Sequence, residues 1–154
     1  MRTIDSIIIH CSATRGGTDF TTADIDQWHR QRGFREIGYH YVIRLDGTIE
    51  KGRSIEKEGA HCHGWNRKSI GICYVGGLNA CGQAADTRTP AQKRSMKQLV
   101  AQLRQQYPAI RYIIGHRDTS PDRNGNGQIE TEEYIKACPC FDVRKWLKEV
   151  EVIL

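Results

Sequence analysis

Short runs of apolar and β-branched residues recur at four places along the chain and predict the strands of a sheet. The four runs span residues 6–10, 39–45, 69–75 and 111–116. Each run is shorter than a typical helix, so a strand is the better assignment. Asp46 and Gly47 follow the second run and predict a hairpin turn, after which residues 48–50 form the returning strand.

Apolar residues at helical spacing predict three helices between or after these strands. The first spans about residues 22–31, behind Thr21 as a hydroxyl cap. The second follows the pair Thr89-Pro90, and the third follows Asp142. Strands that alternate with helices, together with one hairpin, predict an α/β fold: a single domain with a central mixed β-sheet flanked by helices.

Length and charge narrow the class of protein. The 154 residues fit one domain, 1–154, because domains cluster near ~100–150 residues. The net charge of +5 comes from basic residues scattered singly, without a nucleic-acid-binding motif, so we expect no specific nucleic acid partner. No apolar run approaches the ~18 residues of a membrane span, and no signal peptide is visible. We expect a monomer, made in the cytoplasm, with no membrane span.

Candidate chemistry begins with two histidines at the ends of predicted strands, His10 and His116. The loops that follow strands are where α/β sheets build their sites. A third candidate is Cys138, which precedes Pro139 and is therefore biased toward an extended conformation. In an extended segment Lys136 and Cys138 share a face, and the ammonium group favours the thiolate form of the cysteine.

Two imidazoles and one thiolate are a suitable ligand set for Zn²⁺, with a fourth position left for water as in hydrolytic sites. Six cysteines without a signal peptide favour thiols or metal ligands over a disulfide framework. The spacing matches no standard zinc motif, so buried structural residues remain the alternative on spacing alone. Cys140 lies two residues after Cys138 and is a second candidate for the sulfur ligand.

Seven segments in a fixed order carry a resemblance to a known family. They are the sequences at 10–14 (HCSAT), 38–43 (GYHYVI), 46–48 (DGT), 59–61 (GAH), 69–72 (SIGI), 115–118 (GHRD) and 136–139 (KACP). The chain resembles the zinc-dependent N-acetylmuramoyl-L-alanine amidases of the bacteriophage lysozyme type, which are related to the peptidoglycan recognition proteins. The resemblance extends from about Ile7 to Trp146, nearly the whole chain.

This resemblance implies a specific reaction and site. The reaction is hydrolysis of the amide that joins the lactyl group of N-acetylmuramic acid to L-alanine, with peptidoglycan or muropeptides as the partner. His10, His116 and Cys138 match the zinc ligands of the family. Tyr39 and Lys136 match the two further residues that are tied to activity.

The matched residues suggest roles around the substrate. His61 matches a loop that lines the family's cleft, and we expect it to contact substrate, with a hydrogen bond that braces the loop as the alternative. Lys136 is the candidate for stabilising the oxyanion, and Tyr39 for hydrogen-bonding the attacking water or the oxyanion. The sequence leaves open which of the two relays the proton.

Two other functions stay open beside this enzyme. One is a noncatalytic recognition domain that binds peptidoglycan without cleaving it. The other is a cysteine hydrolase with Cys138 or Cys11 as the nucleophile. Without an export signal, we expect the enzyme to act on the cell wall after release, or on cytoplasmic muropeptides.

An insertion at about residues 118–134 departs from the family pattern and resembles a calcium-binding loop. Read as a twelve-residue loop of the EF-hand type, it has glycine at position 6 and isoleucine at position 8. The candidate ligands at positions 1, 3, 5, 7 and 12 are Asp122, Asn124, Asn126, Gln128 and Glu133. Ca²⁺ here would be structural, ordering the segment that presents Lys136 and Cys138, and a polar surface turn is the alternative.

Removal of calcium tests this loop. A calcium-selective chelator is expected to lower the thermal unfolding temperature and the hydrolytic activity, because a bound ion stabilises the folded state. Thermal unfolding with and without added Ca²⁺ measures the first effect, and digestion of peptidoglycan measures the second. Unchanged stability and unchanged activity after chelation contradict the calcium assignment.

Overall fold

A mixed five-stranded sheet forms the centre of the fold, in a computed structural model that describes residues 2–120 and 137–150. Its strands are β1 (Ser6–Cys11), β3 (Tyr41–Ile43), β4 (Ile49–Lys51), β5 (Ser69–Tyr74) and β7 (Tyr112–Gly115). Their order across the sheet is β4-β3-β5-β1-β7. All neighbours are parallel except β3 and β4, which form the predicted hairpin.

Helices flank this sheet on the described parts of the chain. They are α1 (Thr22–Gln31), α2 (Pro90–Gln106) and α3 (Val143–Glu149). Each begins behind a capping side chain, namely Thr21, Thr89 and Asp142. None of the helices in 2–120 and 137–150 is long and apolar enough to cross a bilayer. The predicted α/β fold, a single domain with a central mixed sheet flanked by helices, is confirmed.

Two details differ from the sequence-based expectation. The predicted strand at 39–45 is shorter, because the hairpin turn already begins at Arg44, whose C=O accepts the N–H of Gly47 at 2.9 Å. A second, two-stranded sheet joins β2 (Thr14–Arg15) to β6 (Gly77–Leu78). Strands of two residues have no hydrophobic period, so the sequence could not predict them.

The two faces of the central sheet differ in character, because successive residues of a strand point to opposite sides. Ile7 and every second residue after it in β1 belong to the main apolar core, which also contains residues of α2 and α3. His10 lies on the other face, beside Cys73 of β5. Gly71 lies two residues before Cys73 and leaves space above the sheet. This second face holds the candidate chemistry.

A buried glutamine joins α2 to the sheet. The Gln92 side chain is fully buried, and its Nε2 donates to the C=O groups of Ile43 at 3.2 Å and Val75 at 3.0 Å. Its Oε1 accepts the N–H of Thr89 at 2.9 Å. Every polar atom of this side chain is therefore paired, and the helix start is fixed against two strand ends.

Replacing this glutamine is expected to destabilise the fold. Gln92→Ala removes the donor to the buried C=O of Val75 and the acceptor of the Thr89 N–H, while the C=O of Ile43 keeps the N–H of Val75 at 3.0 Å. Leaving a buried polar group unpaired costs about 1–3 kcal/mol of the free energy of unfolding. The matched control is Gln98→Ala, an exposed position of the same helix, expected to change stability by less than ~0.5 kcal/mol. Urea denaturation measures both, and equal effects of the two substitutions contradict the prediction.

Candidate active site

The predicted metal ligands meet at one edge of the sheet. His10 lies in β1 and His116 directly follows β7, and since these neighbouring strands are parallel, their carboxyl ends lie side by side. Cys138 reaches the same place from the segment before α3. The ligand atoms of His10, His116 and Cys138 all lie within 4.8 Å of one another. His10 is buried, while His116 and Cys138 are half-buried and face the cleft.

Contacts from the sheet hold Cys138 in this position. The N–H of Cys11 donates to Cys138 Sγ at 3.1 Å. The next residue, Pro139, packs against Gly115 at the end of β7, where a Cβ would lie only 2.7 Å from Pro139 Cδ. The C=O of Pro139 accepts the hydroxyl of buried Tyr74 at 2.6 Å. The position of the sulfur therefore depends on a glycine of β7 and a tyrosine of β5.

The two neighbouring cysteines, Cys11 and Cys140, contact each other and are less suited to hold a metal. Contact with Cys138 and burial raise the pKa of Cys11 to about 12. Contact with Cys11, 3.9 Å away between the sulfurs, and burial raise the pKa of Cys140. Both are thiols at neutral pH, the form that is a poor ligand and a poor nucleophile. Among the described residues, the group of potential metal ligands contains Cys138 and not Cys140.

Two further histidines lie behind the predicted ligands. His61 Nδ1 lies 2.8 Å from His10 Nε2, and His61 Nε2 lies 3.2 Å from Ser69 Oγ. The Nδ1 of His40 accepts the N–H of Gly71 at 3.0 Å. Burial lowers the pKa of His61 to about 3 and that of His40 to about 4. Both imidazoles are therefore neutral at neutral pH in the metal-free protein.

Tyr39, for which the sequence predicts a role in activity, lies beside His10. Its ring centroid is 5.0 Å from that of His10 and 5.3 Å from that of His29. Burial raises the pKa of Tyr39 well above its usual value. In the metal-free site the phenol is therefore protonated at neutral pH and acts as a hydrogen-bond donor.

Tyr39, His116 and Cys138 line a cavity of about 700 Å³ that is open to solvent. His61, predicted to contact substrate, also lines this cleft. Sequence reasoning missed one wall, which consists of His29, Arg32 and Phe34. The available signal was their position, since His29 lies in the last turn of α1, Arg32 caps its end and Phe34 leads into the segment that carries Tyr39. Apart from the histidines, Arg32 is the only described residue lining the cleft that carries a formal charge.

Some predicted residues lie outside the part of the chain that the structure describes. They are Lys136 and the candidate calcium ligands Asp122, Asn124, Asn126, Gln128 and Glu133. Their roles stay predictions.

Comparison with known proteins assigns the family. The profile of the family described as N-acetylmuramoyl-L-alanine amidase matches residues 1–133 of the chain. The chain belongs to this amidase family. The family that the sequence motifs resemble is thereby confirmed, and the protein is a peptidoglycan amidase.

Relatives of this amidase include phage lytic enzymes. The endolysin of Klebsiella phage KP32 is 37% identical over 147 residues, covering 96% of this chain and 87% of the endolysin. The endolysin of Escherichia phage T7 is 35% identical over 149 residues, covering 97% and 89%. The solved N-acetylmuramoyl-L-alanine amidase LysC from Clostridium intestinale URNW has a TM-score of 0.73 at 26% identity, covering 97% and 87%. The amidase thus shares its fold with solved enzymes over almost its whole described length.

The buried histidines make the stability of the metal-free amidase depend on pH. An unfolded histidine titrates near ~6.5, whereas folded His40 titrates at about 4. Between these pH values the unfolded chain binds more protons than the folded protein. The contribution of neutral His40 to the free energy of unfolding is therefore fully present above pH ~6.5 and is lost as pH falls toward 4. The free energy of unfolding, measured by urea denaturation, is expected to decrease over this window.

Two variants assign this effect. In His40→Gln the free energy of unfolding is expected to decrease less as pH falls. Of the two histidines, only His61, with its pKa of about 3, then still titrates differently in the folded and unfolded states. His63→Gln replaces an exposed histidine of the same loop as His61 and keeps the wild-type slope. If the free energy of unfolding of His40→Gln depends on pH as that of the wild type does, the imidazole of His40 does not cause the pH dependence.

Proposed function

We propose that this amidase uses Zn²⁺, held by His10, His116 and Cys138, to hydrolyse the amide between N-acetylmuramic acid and L-alanine of peptidoglycan. The observation that carries the proposal is the convergence of these three ligand atoms within 4.8 Å from distant parts of the chain. Ligand atoms on a tetrahedral zinc ion lie roughly 3.5 Å apart, so small side-chain rotations complete the set.

The chemistry of the donor set also fits this metal. The donors are two imidazoles and one sulfur, and the Cys138 sulfur accepts the N–H of Cys11 at 3.1 Å. Nitrogen and thiolate ligands suit Zn²⁺, and three protein ligands are typical of hydrolytic rather than structural sites. When bound, the metal supplies a Lewis acid for a carbonyl and a lowered pKa for water.

Tyr39 is the described side chain best placed to act on the substrate. Its ring lies beside His10 and lines the cleft, and burial favours the protonated phenol. It therefore donates a hydrogen bond to the scissile carbonyl oxygen, which gains negative charge as the amide is attacked. With Tyr39 acting as a donor, Lys136 is the better candidate for moving the proton to the leaving amine.

The wall formed by His29, Arg32 and Phe34 provides contacts for the stem peptide. Arg32 offers a positive charge for a peptide carboxylate, and Phe34 beside it offers an apolar surface. His61 reaches the cleft as well, although its Nδ1 is occupied by His10. Peptidoglycan and muropeptides both carry the groups that such a cleft recognises.

A noncatalytic recognition domain is the weaker alternative, because a domain that only binds the stem peptide has no use for three converging ligands. A cysteine hydrolase is weaker still, since the raised pKa of Cys11 keeps it a thiol and Cys138 lies among the ligands. The relatives named endolysins favour action on the cell wall after release, with cytoplasmic muropeptides as the other source of substrate. We expect a monomer without specific nucleic acid binding.

Digestion of purified peptidoglycan tests the proposal. The wild-type protein is expected to release new L-alanine amino termini without new reducing sugar ends, and a zinc chelator is expected to stop the release until Zn²⁺ is restored. Cys138→Ala removes the sulfur ligand and is expected to lower the rate by roughly 100-fold or more.

Cys81→Ala is the matched control, because Cys81 is an exposed thiol away from the cleft. It is expected to retain the wild-type rate. Full activity of Cys138→Ala, or activity that survives complete removal of zinc, contradicts the metal site. New reducing ends in place of new amino termini contradict the amide as the bond cleaved.

A further inference from the structure

A row of hydrogen-bonded side chains runs from the sheet to His10. We propose that His61 is a positioning residue, which fixes the ring and the tautomer of His10 so that one nitrogen is presented to the metal. The proposal rests on the zinc site proposed above and adds to it a role distinct from substrate contact.

The row consists of three side chains. His10 Nε2 lies 2.8 Å from His61 Nδ1, and His61 Nε2 lies 3.2 Å from Ser69 Oγ. The two imidazole rings are nearly perpendicular, at 87°, with centroids 4.8 Å apart. Ser69 is fully buried at the start of β5, so the far end of the row is fixed in the sheet.

Proton counting leaves one consistent arrangement for this row. A neutral imidazole has one N–H and one lone pair, and a metal ion takes the lone pair. With Nδ1 of His10 as the nitrogen that faces the metal, the ring proton lies on Nε2 and is donated to His61 Nδ1, 2.8 Å away. His61 then carries its proton on Nε2 and donates it to Ser69 Oγ.

The surroundings of His61 prevent its ring from moving away. Its backbone N–H donates to Asn66 Oδ1 at 2.8 Å. The ring packs against two glycines, where a Cβ would lie 2.5 Å from His61 Cδ2 at Gly59 and 2.6 Å at Gly71. The ring therefore occupies space that only glycine leaves open on a strand and in a loop. A side chain that only contacts substrate does not need its buried edge packed against two glycines.

Zinc affinity separates positioning from substrate contact. Partners of metal-bound histidines typically contribute about 10–100-fold to metal affinity. His61→Leu removes the acceptor for His10 and is expected to weaken Zn²⁺ binding by that factor, measured by competition with a chromophoric chelator. His61→Asn keeps an oxygen near the position of Nδ1, so it is expected to recover part of the lost affinity.

The control and the stability measurement complete the design. His63→Gln changes an exposed histidine of the same loop and is expected to bind Zn²⁺ as the wild type does. Thermal unfolding of each metal-free variant reports the fold separately from the metal. If His61→Leu does not fold, the comparison of His61→Asn with the wild type decides: binding weakened by less than 100-fold supports positioning by His61, and unchanged affinity overturns it.

The outcomes distinguish this proposal from the one on which it rests. Wild-type protein that binds no stoichiometric zinc overturns the metal site itself. Wild-type protein that binds zinc, with His61→Leu binding equally tightly, leaves the metal site standing and overturns positioning by His61. Equal weakening in folded His61→Leu and His61→Asn overturns the hydrogen bond as the cause.

Discussion

Parallel pairing of β1 with β7 is the constraint on which the site depends. In a parallel pair the carboxyl ends of both strands reach the same edge of the sheet, so the histidines that end or follow them become neighbours. The ring centroids of His10 and His116 are consequently 4.6 Å apart, although a large part of the chain separates them in sequence. Cys138 completes the set because its sulfur accepts the N–H of Cys11 in β1, and the next residue, Pro139, accepts the hydroxyl of Tyr74 in β5.

The apolar core and the polar site share the same strands. Ile7, Ile9 and Cys11 of β1 contribute to the core on one face, while His10 belongs to the row of polar side chains on the other. Tyr74 links the two, because it is buried in the core and its hydroxyl holds the C=O of Pro139 beside the predicted sulfur ligand. Gly71 contributes on the other face, where the absence of a side chain leaves the space that the His61 ring fills. Burial of these groups explains why the histidines behind the ligands are neutral.

Most of the fold was predictable from local patterns. The capping residues Thr21 and Thr89 mark the starts of α1 and α2, and the strand runs of β1 and β5 agree with the structure to within one residue. The pair of two-residue strands was not predictable, because neither has a period of its own. The ligand residues were predicted from their types and from the order of the family motifs, whereas the wall formed by His29, Arg32 and Phe34 carries no motif.

The sequence by itself determined the elements, their caps, the family and the residue types available for chemistry, because these depend on neighbours along the chain or on ordered motifs. Only the tertiary structure decided how Cys138 is brought to His10 and His116, and what lies behind them. The Cys11 N–H reaches Cys138 Sγ across 127 residues, and His10 reaches His61 across 51. Contacts at such separations depend on how strands pair and helices pack, and no local spacing records them.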